Sequence, residues 1–157
     1  MSQQPQHNNQ YFLNHLILLE QSLRKVSNKS FIVDNVNCEE DAQKVYASST
    51  ILLSHNNQPD PVFNYANKSA QSLFEMDWDE FTSLPSKFSA ETVNQAERQR
   101  LLDEVSRNGF ISNYTGIRIA QSGKRFYIRN ALVWNVYDNL DSYLGQAAMF
   151  DTWEYIE

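Results

Sequence analysis

Few side chains of this sequence combine the types and the spacing that catalysis or metal binding requires. Ser54, His55 and Asp60 lie close together, but a catalytic triad is defined by its geometry in space rather than by local order. The acidic residues within Asp77–Glu80 could attract a cation, yet they lack the glycine and the distal glutamate of a calcium-binding loop. A solvated helix start explains these carboxylates more simply. The sequence therefore predicts neither an enzyme nor a metal site.

Cys38 is the single cysteine of the chain. It lies at the start of a predicted helix, where a thiol can have a lowered pKa. No histidine and no second cysteine lies near it in the sequence, so an incidental thiol is the simpler interpretation. One cysteine excludes an internal disulfide bond and a multi-cysteine metal site, and it is typical of a chain in a reducing cytoplasm.

Two amide side chains on predicted strands indicate a different kind of chemistry, the binding of a small molecule. Alternation along the strand 125–136 places Asn130 on a face that is otherwise apolar, and Gln146 lies on the following strand. Buried amides need hydrogen-bond partners. We therefore expect a pocket between sheet and helices, lined by Asn130, Trp134 and Gln146 and closed by Phe74 and Met76. The alternative is that the amides bond to the backbone and that side chains fill the space.

The composition excludes several classes of function. The 157 residues suffice for one domain with one core, and 41% of them are hydrophobic. A net charge of −6 and a pI of about 5.0 argue against binding to nucleic acid or to an anionic membrane surface. No apolar run approaches the ~20 residues of a membrane-spanning helix. The polar start of the chain, MSQQPQHNNQ, is unlike a secretory signal.

The residues that could bind a ligand are positioned by an alternation of predicted strands and helices. The segments 50–54 and 62–65 are predicted to form a hairpin, and Asn67 caps the helix that follows. A longer helix covers residues 90–108, and three hairpin-linked strands occupy residues 110–153. This order predicts an α+β fold, a five-stranded antiparallel sheet with helices on one face.

The N-terminal part adds a helical cap to this domain. Residues 1–9 are polar and are predicted to be a disordered tail, residues 10–48 form the cap, and residues 49–157 form the main domain. An apolar stripe with helical spacing follows the first helix and consists of Phe12, Leu16, Leu19, Leu23 and Val26. The stripe either packs on the chain's own domain or forms an interface with a second copy. We favour the second arrangement, which predicts a homodimer.

Several separate blocks of the sequence resemble the MEKHLA domain, a family related to the PAS fold. The blocks are DPVFNYANKSAQSLFEMDWDEFTSLPSKFSAE at residues 60–91, VWN at residues 133–135 and GQAAMF at residues 145–150. They follow the order of the family, and the resemblance extends from about Ser49 to Trp153. It implies a PAS-like fold and a sensory or protein-interaction module rather than an enzyme.

The resemblance also suggests which cofactors to look for. Flavin-binding light sensors of the PAS fold need an Asn-Cys-Arg run, but Cys38 precedes the first strand of the main domain. Haem-binding relatives use a histidine on the longer helix, but no histidine follows His55, which we interpret as a turn residue. A flavin–cysteine adduct and haem are therefore both disfavoured.

We predict a non-catalytic, self-associating sensory or protein-interaction module of the cytoplasm. Its partners would be a second copy, a regulatory protein or a small-molecule ligand, with no role for nucleic acid or membrane. The first alternative is a small-molecule-binding protein with an occupied pocket between sheet and helices. An enzyme that uses the same pocket is a weaker alternative, because the predicted inner faces offer no perturbed acid or base.

Overall fold

An antiparallel sheet of six strands is the centre of the computed structural model, which describes residues 3–156 except for the side chains of residues 92 and 93. The strands are β1 (Ile51–His55), β2 (Phe63–Ala66), β3 (Phe110–Ile119), β4 (Arg125–Tyr137), β5 (Tyr143–Phe150) and β6 (Thr152–Ile156). Their order is β2-β1-β5-β4-β3, and β6 pairs with the first part of β4. The predicted α+β class is confirmed. The additional strand arises because the last predicted strand is interrupted at Asp151.

Helices cover both faces of this sheet. They are α1 (Leu13–Val26), α2 (Glu39–Ala47), α3 (Lys68–Phe74), α4 (Trp78–Phe81) and α5 (Thr92–Asn108), with 3-10 helices at His7–Phe12 and Ser86–Ser89. The helix α1 packs on one face, chiefly on β4, whereas α3 and α5 pack on the opposite face. The predicted helical cap is therefore the layer that covers the second face.

The predicted disordered tail is only partly covered by the structure. Residues 1, 2 and 157 lie outside the described part, but His7 to Asn9 belong to the first 3-10 helix. The Nδ1 atom of His7 lies 2.6 Å from a carboxylate oxygen of Glu39 on α2, which ties this segment to the cap. The division between cap and main domain at residue 48 stays a prediction.

Asn67 joins three elements through its side-chain amide. Its Oδ1 atom accepts hydrogen bonds from the backbone N–H groups of Leu52 (3.1 Å) and Ala70 (3.2 Å), so it caps α3 as predicted. Its Nδ2 atom donates to the carbonyl oxygens of Val45 (3.1 Å) and Thr50 (2.7 Å). Because the side chain is fully buried, all of these partners are needed to offset its loss of hydration. One amide thus fixes the end of α2 and the start of α3 against β1.

The apolar stripe of α1 lies in the core of its own chain. Leu16 and Leu19 are 0% exposed and Leu23 is 1% exposed, and they pack with Trp134 of β4. The indole Nε1 of Trp134 donates a hydrogen bond of 3.0 Å to the carbonyl oxygen of Leu19. The assignment of Leu16, Leu19 and Leu23 to a dimer interface is therefore corrected, because the sheet covers these side chains. Phe12 and Val26 are half-buried, and their place in a dimer interface stays a prediction.

A bulge in β4 reverses the alternation that the sequence predicts for this strand. Gly116 pairs with Ile128, and the next paired residue on β3, Tyr114, lies opposite Ala131, so β4 contains one extra residue. Asn130 is in this bulge, with φ 53°, and its side chain is exposed. An extra residue moves every later side chain to the other face. Residues Ala131, Val133 and Asn135 consequently face α5, whereas Leu132, Trp134 and Val136 face α1.

His15 is a titratable group in the layer between α1 and the sheet. Its ring contacts those of Phe12 and Tyr65, and burial lowers its pKa from the ordinary 6.5 to about 4. Ser54 donates its hydroxyl proton to Asn64 Oδ1 at 2.6 Å, so the Nε2 atom of His15, 2.9 Å from the same hydroxyl, is the donor. The neutral imidazole with a proton on Nε2 therefore fits this site.

We expect Leu19→Ala to lower the free energy of unfolding by about 2–5 kcal/mol, because it removes a fully buried side chain. Asn14→Ala, on the exposed side of α1, should change it by no more than about 0.5 kcal/mol. Urea unfolding curves of the two variants test this.

By the same logic, Leu16→Glu with Leu23→Glu should unfold the protein. A well-folded monomer from that double variant would instead support the dimer interface.

Stability should depend on pH through His15. The unfolded chain takes up a proton on this side chain near pH 6.5, whereas the folded chain does so only near pH 4. Unfolding therefore becomes easier as the pH falls through this window, by about 3 kcal/mol in total. His15→Gln should remove this part of the acid-induced loss when urea unfolding is measured from pH 7 to pH 4. His7→Gln is the control, because His7 is exposed; an equal effect in both variants would contradict the assignment.

Candidate functional site

A cavity of about 60 Å³ lies between the sheet and α5. Its apolar wall is formed by side chains from β1, β4, β5, α3 and α5, among them Leu53, Phe74, Leu101, Ile128, Val133 and Phe150. Polar side chains from five different elements line the same space, namely His55, Ser86, Arg98, Arg118 and Gln146. An apolar cavity with a few convergent polar groups is the usual form of a small-molecule site.

Two amides fasten α5 to the sheet beside this cavity. Asn135 of β4 and Gln146 of β5 are cross-strand neighbours, and the Gln146 Nε2 atom donates to Asn135 Oδ1 at 3.1 Å. The same Nε2 atom lies 3.1 Å from the carbonyl oxygen of Leu102, and Asn135 Nδ2 donates to that of Val105 at 2.9 Å. These contacts bind the last turns of α5 to the two central strands.

His55 is the last residue of β1 and lines the cavity, rather than lying in a turn as the sequence predicted. Its Nδ1 atom lies 2.8 Å from the carbonyl oxygen of Asn56 and must be the donor there, so Nε2 is an acceptor in the neutral ring. Among the described residues, no atom forms a hydrogen bond with this buried Nε2. Burial lowers the pKa of His55, and the charge of Arg98 acts in the same direction, whereas the Asn56 carbonyl and the Gln146 side chain oppose this shift.

Arg98 projects from α5 into the cavity and is only 5% exposed. It donates a hydrogen bond to Ser86 Oγ, and within residues 3–156 no carboxylate lies within 4.0 Å of it. Burial lowers its pKa from 12.5 to about 10, and the charge of Arg118 contributes in the same direction. A shift of this size corresponds to a folding penalty on the order of 3 kcal/mol for the charged group.

Arg118 carries the second positive charge of the cavity wall, and it is compensated. Its guanidinium lies 3.8 Å from a carboxylate oxygen of Glu97 on α5. The hydroxyl of Tyr114 donates to the same carboxylate, and burial raises the pKa of this tyrosine to about 12. The compensated pair at Arg118 contrasts with Arg98, whose charge has no such partner in the described part of the chain.

The structure brings together only part of the predicted pocket. Phe74 and Gln146 are among the residues that line the cavity. Met76 packs in the adjoining core, Trp134 lies under α1 on the opposite face, and Asn130 is exposed at the bulge. The pocket assignments of Met76, Trp134 and Asn130 are therefore corrected. The last two are misplaced because the bulge reverses the face of the strand.

Sequence reasoning missed the two residues that give the site its character. Uninterrupted alternation along β4 would place Asn135 on the face opposite Asn130, away from the predicted pocket, although Asn135 belongs to the VWN block. Arg98 precedes the buried residues Leu101 and Val105 by three and seven positions, so it lies on their side of α5. A charged residue at such a position is a signal that helical periodicity alone could have detected.

Other chemistry-bearing residues lie away from this cavity. Cys38 is exposed at the N-cap of α2 and is absent from the cavity wall. In the part of the chain that the structure describes, no group of three or more His, Cys, Asp or Glu side chains could hold a metal ion. No helix within residues 3–156 is long and apolar enough to cross a bilayer.

The sheet order and the helices packed on it define a fold of the PAS type. A PAS domain from Colwellia psychrerythraea superposes with a TM-score of 0.63 at 11% identity, over 75% of this chain and 95% of that one. The light-state dimer structure of the fungal blue-light photoreceptor Vivid gives 0.58 at 13% identity, over 88% and 91%. A light-oxygen-voltage domain studied with a flavin analogue gives 0.58 at 9% identity, over 74% and 84%.

Within this class, the chain belongs to the MEKHLA domain family, whose sequence model matches residues 13–155. The match includes α1 (Leu13–Val26). No curated protein matches the sequence. The predicted family and its PAS-like fold are thereby confirmed.

The cavity does not fit a flavin. Pockets that enclose ligands of cofactor or drug size measure about 300–1,000 Å³, whereas this one measures about 60 Å³. The wall also carries the uncompensated charge of Arg98 where a large apolar ring system would have to lie. The same volume excludes haem from this arrangement of side chains, even though His55 reaches the cavity.

A matched pair of asparagines tests the corrected face of β4. We expect Asn135→Leu to lower the free energy of unfolding by about 1–3 kcal/mol, because it removes two buried hydrogen bonds, one to the Val105 carbonyl and one from the Gln146 amide. Asn130→Gly should change it by less than about 1 kcal/mol, because glycine tolerates the positive φ of the bulge. Urea unfolding measures both. The reverse order of the two effects would restore Asn130 as the buried amide.

Proposed function

We propose that the chain is a non-catalytic sensory module of the PAS type that responds to a small molecule held between the sheet and α5. The observation that carries the proposal is the cavity beside α5, at which the His55 Nε2 atom and the Arg98 guanidinium are buried with few protein partners. Buried polar groups of this kind are costly unless something pairs with them. A ligand that pairs with them would stabilise the conformation that binds it.

The hydroxyl groups of the cavity support a non-catalytic function. Ser86 Oγ accepts a hydrogen bond from Arg98, and Ser89 Oγ donates to the backbone carbonyl of Ser86 at 2.7 Å. A serine nucleophile needs its hydroxyl bonded to a general base that a third group orients. His55 is oriented by a backbone carbonyl and, among the described residues, its Nε2 atom bonds to no hydroxyl.

The connection between the cavity and α1 supports a sensory function. Asn135 binds α5 on one face of β4, and its neighbour Trp134 binds the backbone of α1 on the other. A change in the position of α5 would therefore alter the same strand that supports α1. The output would be a changed packing of the N-terminal helices against the sheet.

Self-association and a regulatory protein partner are the remaining parts of the proposal. The Vivid structure is a dimer of that photoreceptor, and self-association of the present chain would need a surface other than the buried leucines of α1. We place the module in the cytoplasm, because a single cysteine is typical of proteins from reducing compartments.

Native mass spectrometry of freshly purified protein tests the small-molecule proposal. We expect a fixed mass adduct that denaturation removes, and the same spectrum reports the oligomeric state. Ala131→Leu should abolish the adduct, because residue 131 lines the cavity and the larger side chain fills it. Asn130→Gly, at the adjacent exposed position, should retain it. An adduct that survives in the Ala131→Leu variant would place the ligand elsewhere and contradict the proposal.

A further inference from the structure

The charge of the cavity wall selects among the ligands that could occupy it. Arg98 and Arg118 are both buried. Among the described residues, Glu97 is the carboxylate that lies within 4.0 Å of Arg118. Asp60, the other carboxylate that acts on Arg98, forms its ion pair with Lys87 at 3.3 Å. The wall therefore holds one more positive than negative charge. A ligand that compensates this charge must be an anion.

The geometry of Arg98 favours a carboxylate. A guanidinium has five N–H donors in a planar fork, of which Ser86 Oγ occupies one direction. The N–H groups on a free edge of such a fork can donate to both oxygens of a carboxylate side by side. Because the group is almost completely buried, this contact would form in a low dielectric, where it is stronger than at the surface.

The remainder of the wall sets the size and the polarity of the ligand. A volume of about 60 Å³ is equivalent to about four to six enclosed water positions. Apolar side chains such as Leu101, Ile128 and Val133 line the same cavity as Arg98. A short hydrocarbon chain matches them, whereas the oxygen atoms of phosphate or sulfate would lose their hydration against these surfaces.

We propose that the cavity binds a short aliphatic carboxylate, whose carboxylate group pairs with Arg98 and whose hydrocarbon chain packs on the apolar side chains of β4 and α5. This inference rests on the proposed function, since it names the chemical class of the small molecule. Binding is non-covalent, and Arg98 is the residue that distinguishes the anion from a neutral molecule of the same shape.

The test compares butyrate with its neutral isostere butyramide by thermal unfolding of the purified full chain, at matched ionic strength. Butyrate at about 100-fold above its Kd should raise Tm by about 5–10 °C. Butyramide and sodium chloride should leave Tm unchanged, because neither supplies a carboxylate for Arg98. Sodium phosphate tests whether any anion raises Tm or whether only an aliphatic carboxylate does.

Two variants on α5 test whether Arg98 causes the butyrate shift in Tm. Arg98→Met should abolish the butyrate shift and leave the ligand-free protein at least as stable, because an uncompensated buried charge is removed. Arg100→Met, at an exposed position of α5, should retain the full shift. The wild-type comparison of butyrate with butyramide needs neither variant, so the inference stays testable if Arg98→Met folds poorly.

Each other outcome overturns the inference in a distinct way. Equal shifts from butyrate and butyramide would mean a neutral ligand, and the proposed sensory function would stand. An equal shift from phosphate would mean a general anion site. No shift from either organic probe would reject the carboxylate class, while the adduct seen by native mass spectrometry decides the proposed function independently.

Discussion

The extra residue at Asn130 is the constraint on which the rest of this domain depends. If β4 alternated without interruption from Phe126 onward, Trp134 would share the face of Ile128 and its indole would enter the space beside α5. The bulge directs this indole to the backbone of Leu19 instead and brings Asn135 to the face of α5. An asparagine suits the bulge, because it adopts a positive φ more readily than most residues. The cavity exists because the largest side chain of the strand points away from it.

The same bulge makes β4 the strand that both helical layers share. Trp134 and Asn135 are consecutive, so hydrogen bonds to α1 and to α5 originate from adjacent residues on opposite faces. Gln146 extends the link to β5 and to the carbonyl of Leu102. A short and contiguous set of bonds therefore connects the cavity with the N-terminal helix.

The sequence was sufficient to predict the helices and strands and the fold, but not which face of β4 or α1 packs against which neighbour. Asn67 was predictable as a cap because its position before an amphipathic run has a local signature. The bulge in β4 was not predictable, because the residues before it and the residues after it both show the alternation of an ordinary strand. A shift of one residue nevertheless exchanges the two faces of the strand. The stripe of α1 was ambiguous for a similar reason: leucines at helical spacing suit a sheet as well as a second helix. Only the position of β4 under Leu16 and Leu19 decides between them.

Arg98 shows what periodicity can detect and what it cannot. Its spacing from Leu101 and Val105 places it on the buried side of α5, but a long side chain on such a face often extends to solvent. The surrounding fold decides the matter, because β3 and the 3-10 helix Ser86–Ser89 enclose the guanidinium. Burial there lowers the pKa and weakens the ligand-free fold, and a partner of opposite charge would recover that free energy on binding. A domain that is less stable without its ligand than with it has a conformational equilibrium that the ligand can shift.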